Sequence, residues 1–321
     1  MAVTIADVAR HAGVSRSTVS YVLSGNRSIS AETIARVEAS IAELQFRPHA
    51  GARSIRTKRT GVIAMALPLM HGPHNEVQMP YVWAALNAAQ DAGLKLLMLT
   101  DDDGTSAIRD AVGSALVDGV ILMEVQQQDP RANLLTSLKC PAVLVGTPDD
   151  PDGLPYVDFD FVACGRMSAE HLLERGHTRI GFLGQHPETY RRGVAYAAHA
   201  RDGALDALRD GGARATWTPC VTSAQGVADA LDGLRAQDPG ITAMVVYNEW
   251  ALPLVVDRVA DGIDIVAICP DDAVDRLARP ITSVSLPVEE LARTAVQRLA
   301  GLLHNEAQPS VTMLAPRLKT R

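Results

Sequence analysis

The sequence predicts two fold classes in one chain: a small all-α head, then an α/β body of two doubly wound parallel-sheet subdomains. Three observations predict this. Between Thr4 and Leu44 apolar residues recur at helical spacing, with capping residues between the runs. From Gly61 onward short apolar runs alternate with longer periodic segments, and the series runs through twice. Charge divides at the same place. The chain carries a net −7, yet residues 1–60 hold nine Lys/Arg against four acids, which leaves the remainder at −12. A basic head on an acidic body is a pattern of nucleic-acid binding, with a solvated basic surface as the plainer alternative.

Length and composition narrow the classes further. At 321 residues, 47% hydrophobic and 21% charged, the chain can bury the cores of two or three folded units. No apolar run approaches the ~18–20 residues of a membrane-spanning helix. The N-terminal stretch has no basic region and reaches Asp7 early, unlike a signal peptide. Cys140, Cys164, Cys220 and Cys269 are far apart and read as buried free thiols.

Thr4 caps a first helix that runs to Ala12, with Asp7 favouring its N-terminus and Ile5, Val8, Ala9 and Ala12 on one face. Gly13 stops it. Ser15 caps a second helix through Leu23, with Val14, Val19, Val22 and Leu23 inward. Ser30 caps a third, with Ile34, Val37, Ile41 and Leu44 on its buried side. Two short helices joined through Gly13 have the helix-turn-helix plan. The second is small and polar outside, at Arg16, Ser17, Ser20 and Tyr21, so it can approach the major groove closely. An ordinary three-helix bundle would show the same periodicity.

The motifs Thr4-Ile5-Ala6-Asp7-Val8-Ala9, Ala12-Gly13-Val14-Ser15 and Ser17-Thr18-Val19-Ser20 are similar to the opening of the LacI/GalR family of bacterial transcriptional regulators. So are Ser30, Thr33, Arg36-Val37, Leu44 and Arg47-Pro48. The resemblance implies that Arg16, Ser17 and Tyr21 read base edges. It implies that Thr4, Ser15, Thr18, Ser20, Ser24 and Thr33 lie near phosphates, with Ile5 among the DNA-facing residues. It further implies a hinge helix within His49–Arg56 that forms on DNA, pairs with its dimer mate and wedges Ile55 into the minor groove, beside His49 and Arg53. His49 replaces the usual asparagine. Gly51 costs such a helix about 0.5–1 kcal/mol. A basic linker is the alternative for this stretch.

In the body, buried parallel strands are expected at 61–67, 94–99, 119–123, 142–145, 179–183, 242–246 and 263–268. Helices are expected near 82–92, 107–116, 165–175, 193–210, 226–236 and 249–260. Open parallel sheets bind ligands at the carboxyl ends of their strands. Two facing sheets make a cleft there, with His71, Asp101, Glu124, Asp160, Asn248 and Asp271 at strand ends. Carboxylates, an amide and the nearby Trp83, Phe159 and Trp250 suit a sugar-like (polyhydroxyl) or nucleoside-like ligand. Helix caps and solvated loops account for such acids equally well.

The resemblance extends into this body and implies a periplasmic-binding-protein-like fold. It rests on Asp160, Gly165, His171-Leu172 and Gly176-His177-Thr178-Arg179-Ile180-Gly181. Phe161 stands where the family has an asparagine. Asp264 to Asp272 is similar to the strand that ends in an effector-contacting aspartate, here Asp271, with Cys269 and Pro270 replacing a glycine and an aromatic. Asn248 matches the family's Asn-Asp pair, with Glu249 in second place. Gly203 matches the glycine three residues after the effector-contacting arginine, which puts Ala200 in the arginine's place. Arg201 is one residue off, and Arg191 and Arg192 lie upstream.

No nucleophile elbow, HExxH, Walker loop or GxGxxG is present, and the Asp101–Asp103 and Asp149-Asp150 runs read as solvated turns. The expectation is therefore no enzyme, no cofactor and no metal. The resemblance implies a helix-turn-helix DNA-binding domain over 1–47, a hinge helix and linker over 48–60, and an effector-binding and dimerisation domain over 61–321. Within the last, one subdomain takes about 61–158 plus 287–305 and the other about 159–286 plus 306–321. The function it implies is that of a cytoplasmic, nucleoid-associated homodimeric repressor. Its partners would be a pseudo-palindromic operator and a small-molecule effector, not a membrane. A solute-binding or sensor protein with the same body, whose head reads no specific operator, is the alternative.

Overall fold

The computed structural model describes residues 3–24, 29–46, 59–68, 74–101, 104–259 and 262–320. It divides into two compact units, Met1–Thr60 and Gly61–Arg321.

The first unit holds α1 (Ile5–Ala12), α2 (Arg16–Ser24) and α3 (Ala31–Glu43). Thr4 and Asp7 form a reciprocal cap on α1: the Thr4 N–H donates to Asp7 Oδ2 at 2.9 Å and the Asp7 N–H donates to Thr4 Oγ1. Gly13 leaves α1 at φ +66°, a conformation glycine adopts without strain. Ser15 and Ser30 cap α2 and α3, accepting from the N–H groups of Thr18 and Thr33. The helices meet on Val8, Ala9, Ala12, Val19 and Val37, as the periodicity predicts. Phe46 joins them, which the periodicity does not show. Gln45 at φ +49° turns the chain beyond α3 and brings Phe46 under the bundle.

The second unit contains two six-stranded sheets. The first runs β11-β5-β4-β3-β1-β2, all parallel: β1 (Val62–Ala66), β2 (Lys95–Leu99), β3 (Gly119–Leu122), β4 (Ala142–Val145), β5 (Tyr156–Phe159) and β11 (Val311–Leu314). The second runs β12-β10-β9-β8-β6-β7: β6 (Arg179–Gly184), β7 (Arg214–Pro219), β8 (Ala243–Val246), β9 (Asp264–Cys269), β10 (Thr282–Ser285) and β12 (Arg317–Lys319). Only β12 is antiparallel there, against β10. Strand order reverses between β1 and β3, and again between β6 and β8, as in doubly wound sheets.

The helices between strands are α4 (His74–Asp91), α5 (Thr105–Gly113), α6 (Pro130–Ser137), α7 (Phe161–Glu174), α8 (Pro187–Arg191), α9 (Ala195–Asp210), α10 (Ala224–Gln237), α11 (Leu252–Arg258), α12 (Asp271–Asp275) and α13 (Val288–Leu303). On one face of the second sheet α7 and α9 touch backbone to backbone. A Cβ on Gly165 would lie 2.0 Å from the Ala200 carbonyl oxygen, and one on Gly203 would lie 2.2 Å from that of Val162. Those contacts account for both glycines as packing residues.

The chain passes between the sheets after β5, after β10 and after β11. The last crossing corrects one expectation. Residues 306–321 were expected in the second subdomain, but Val311–Leu314 pairs with Tyr156–Phe159 and extends the first sheet. The helix before it, α13, packs Val288 and Ala292 against Met65 and Leu67 of that sheet's side, so the short return reaches its edge. Only Arg317–Lys319 joins the second sheet.

Candidate functional site

Two regions carry chemistry, one in each unit. In the head, α2 buries Val19 and leaves Arg16, Ser17 and Tyr21 exposed, with Thr18 and Ser20 half-buried beside them. Ser15 Oγ lies 2.7 Å from Ser17 Oγ and 2.8 Å from Thr18 Oγ1 at the N-terminus of α2. Ser30 Oγ donates to Thr33 Oγ1 at 2.9 Å at the N-terminus of α3. With Thr4, hydroxyls thus stand at the N-termini of all three helices, where N–H groups and the helix dipole favour an anion. Ile5 is half-buried against the head's core. Ser24 closes α2. His49, Arg53 and Ile55 lie outside the described residues.

In the body, a cleft opens at the carboxyl ends of both sheets, beside both points of strand-order reversal. Leu67 follows β1, Glu124 follows β3, Gln185 follows β6, and Tyr247 and Glu249 follow β8; all line it. The empty space there, open solvent at the mouth included, is about 720 Å³. Phe161, Tyr196 and Tyr247 form an aromatic wall, with ring centroids 5.7 Å apart for Phe161 with either tyrosine.

Glu124 is held in the left-handed region, at φ +50°. The Arg131 guanidinium, buried and paired with Asp129 at 2.6 Å, donates to the Glu124 carbonyl at 2.9 Å and fixes that turn. The Glu124 carboxylate accepts from Gln78 Nε2 at 2.8 Å and pairs with Arg192 Nη1 at 3.0 Å. Arg192 belongs to the second subdomain, so this ion pair spans the cleft. Around it the subdomains also share backbone bonds, from Gln127 N–H to the Gly193 carbonyl and from Ala195 N–H to that of Val125.

Two further carboxyls face the cleft. Asp158 is buried, and that burial pushes its pKa up to about 7 despite bonds from Thr147 Oγ1 at 3.0 Å and the Phe159 N–H at 2.8 Å. Glu249 is raised above the usual carboxylate range by burial, while the bond from Gln185 Nε2 at 3.2 Å opposes the shift. Burial likewise pushes Tyr81, Tyr196 and Tyr247 well up, so these phenols stay neutral donors and acceptors.

Of the effector residues expected from sequence, Glu124 is in this lining. His71 lies outside the described residues. Asp101 is exposed beyond β2. Asp160 caps α7 through the Ala163 N–H at 2.9 Å. Asn248 is buried, donating to the Gly184 and Cys220 carbonyls and accepting from the Ala251 N–H, which ties the ends of β6, β7 and β8 together. Arg201 packs over Trp217 at 4.8 Å and Tyr190 at 5.4 Å, and pairs with Asp202. Asp271 pairs with Lys319. Its neighbours Pro270 and Asp272 line an outer recess that shares Glu249.

The structure adds Gln78, Tyr81, Asp158, Gln185, Tyr196 and Tyr247 to the lining. Gln78 and Tyr81 sit on α4, whose Pro80 lacks the N–H that would bond back one turn. These residues come from segments remote from one another in sequence, and no local pattern marks them. Arg192, one of two upstream arginines noted from sequence, is the one that reaches the cleft.

Among the described residues no group of His, Cys, Asp and Glu could hold a metal ion, and no helix is long and apolar enough to cross a membrane.

Both units match known families. Residues 4–49 match bacterial regulatory proteins, lacI family, and residues 169–321 match the periplasmic binding protein-like domain. The HTH-type transcriptional regulator CelR of Thermobifida fusca is 28% identical over 320 residues, 93% of this chain and 92% of that protein. The maltose regulon regulatory protein MalI of Escherichia coli K12 is 28% identical over 339 residues, 98% of this chain and 96% of that protein. The fold superposes on that of the Lac repressor dimer bound to operator and the anti-inducer ONPF. The TM-score is 0.82 at 25% identity, covering 99% and 98% of the two chains.

Proposed function

We propose that this chain, whose residues 4–49 match the lacI family of bacterial regulatory proteins, acts as a homodimeric repressor whose operator affinity is set by a small molecule bound in the cleft. The observation that carries this reading is the cross-cleft pair of Glu124 and Arg192 within a cavity at the carboxyl ends of both sheets. A ligand there contacts both subdomains at once, so it can favour one relative arrangement of them over another.

In this reading Arg16, Ser17 and Tyr21 read base edges, while Thr4, Ser15, Thr18, Ser20, Ser24 and Thr33 contact phosphates. Ile5 supports them from the head's core. His49, Arg53 and Ile55 belong to the hinge between a domain over 1–47 and the body over 61–321. The cleft takes a sugar-like or nucleoside-like effector, held by Glu124, Glu249, Asp158 and their amide and arginine partners. The protein works on DNA in the cytoplasm and binds its ligand without transforming it.

Selection of duplexes from a random pool by the full-length protein tests the reading. It should return a pseudo-palindrome with half-sites one recognition helix each. An asymmetric motif, or none, would sink it. Coupling between sites is reciprocal, so operator must shift effector affinity by the factor by which effector shifts operator affinity.

A further inference from the structure

The hydrogen-bonding groups of the cleft are unevenly spent, and this bears on what the effector is, granted that the cleft is its site. Gln78 Nε2 donates to the Pro68 carbonyl at 3.2 Å and to Glu124 Oε1 at 2.8 Å. Both partners are pure acceptors, which fixes the orientation of that amide. Its Oε1 is therefore the acceptor left over. Gln78 is 8% exposed, and Oε1 meets no donor among the described residues. A buried acceptor without a donor costs about 1–3 kcal/mol, so a ligand that supplies one gains from doing so. Gln185 turns its N–H toward Glu249, and Arg192 donates to Glu124. The amide and guanidinium donors are thus directed at the cleft's own carboxylates, while the hydroxyls of Tyr81, Tyr196 and Tyr247 can donate or accept.

Charge points the same way. Glu124, Glu249 and Asp158 line the cavity, and Arg192, the cation that reaches it, is already paired with Glu124. Among the described residues no cation pairs with Glu249, so an anionic ligand would meet that carboxyl at low dielectric without a counter-charge. A cation would relieve them. Beside Glu249 the faces of Phe161, Tyr196 and Tyr247 offer the quadrupole that attracts an ammonium group.

We propose that the effector carries a protonated amine, seated between Glu249 and the wall of Phe161, Tyr196 and Tyr247, with Gln78 Oε1 accepting one of its hydrogens. Hydroxyls on the same molecule suit the remaining acceptors. Phosphorylated and carboxylated compounds should bind more weakly than the amine.

The test is a thermal-shift and calorimetric comparison on the full-length protein with matched probes at millimolar concentration. Glucosamine, putrescine, agmatine and choline are set beside glucose, N-acetylglucosamine and glucose 6-phosphate. At least one amine should bind at least about tenfold more tightly than the uncharged and anionic probes. Glu249→Gln should weaken that amine by about tenfold or more. The melting point of the unliganded variant reports its folding, and Gln78→Met serves as a second variant, expected to weaken the same amine. Binding of glucose or glucose 6-phosphate in preference to every amine would overturn the proposal. So would no shift with any amine, or an amine whose affinity ignores both variants. A neutral sugar that binds and alters operator affinity would leave the effector reading standing and remove the amine. An amine that binds the cleft without altering operator affinity would do the reverse.

Discussion

At the scale of single residues, exposure separates the chemistry from the packing. On α2, Val19 is buried while Arg16 is exposed, and the proposed reading has it contact a base edge. Arg16→Ala should weaken operator binding by about 1–3 kcal/mol and relax preference at one base pair. Titrations against operators substituted at each position would check this, and uniform weakening on all sequences would reduce Arg16 to a phosphate contact. Asp158 makes a second residue-level prediction. Its folded-state pKa of about 7 exceeds the unfolded value of about 4, so the folded protein holds the proton more tightly. The stability linked to that proton is complete below about pH 4 and is lost as pH rises through about 7. Asp158→Asn, which has nothing to ionise, should therefore gain melting temperature relative to the unsubstituted protein between about pH 5 and pH 8. A constant difference across that range would show that Asp158 does not titrate there.

At the scale of elements, close approach decides what a position tolerates. The crossing of α7 and α9 leaves no room at Gly165 or Gly203 for even a methyl group. Gly203→Ala should force the helices apart and cost about 1–3 kcal/mol, read as a lower denaturation midpoint. An unchanged midpoint would mean the pair can separate freely. The strands show how far local pattern reaches. β3, Gly-Val-Ile-Leu, and β4, Ala-Val-Leu-Val, are buried along their length and legible as apolar runs. β10, Thr-Ser-Val-Ser, is not, because Ser283 and Ser285 are buried in a strand of polar composition. β5 and β7 mix polar with apolar residues, and β11 and β12 are short edge strands with exposed positions, so the same run-based reading passes over them.

At the scale of the whole molecule, the basic head and the cleft of the body predict different responses to salt. Operator binding should weaken by well over tenfold between about 50 and 200 mM salt, as phosphate contacts release counterions. Ligand binding in the enclosed cleft should change little over the same range. Parallel titrations would check this. Equal salt dependence of the two would mean that the cleft is exposed to solvent or that DNA contacts are few.

What the sequence by itself determined was local or repetitive. Helix caps at Thr4, Ser15 and Ser30, the turn at Gly13, the two series of βα units and the charge division follow from neighbours in the chain. Each depends on backbone bonds or periodic burial within a few residues. The cleft was legible as a place, at strand ends, and Glu124 as one of its residues. Which other side chains meet there was decided only by tertiary structure. Gln78, Asp158, Arg192, Tyr196 and Glu249 are brought together by three crossings between two sheets. Asp160, Asn248 and Arg201 stand near the same motifs but are consumed by a helix cap, by strand-end carbonyls and by aromatic faces. The physical reason is that a buried polar group must be satisfied by whatever the fold places beside it, and that neighbour is set by packing between remote segments rather than by spacing along the chain.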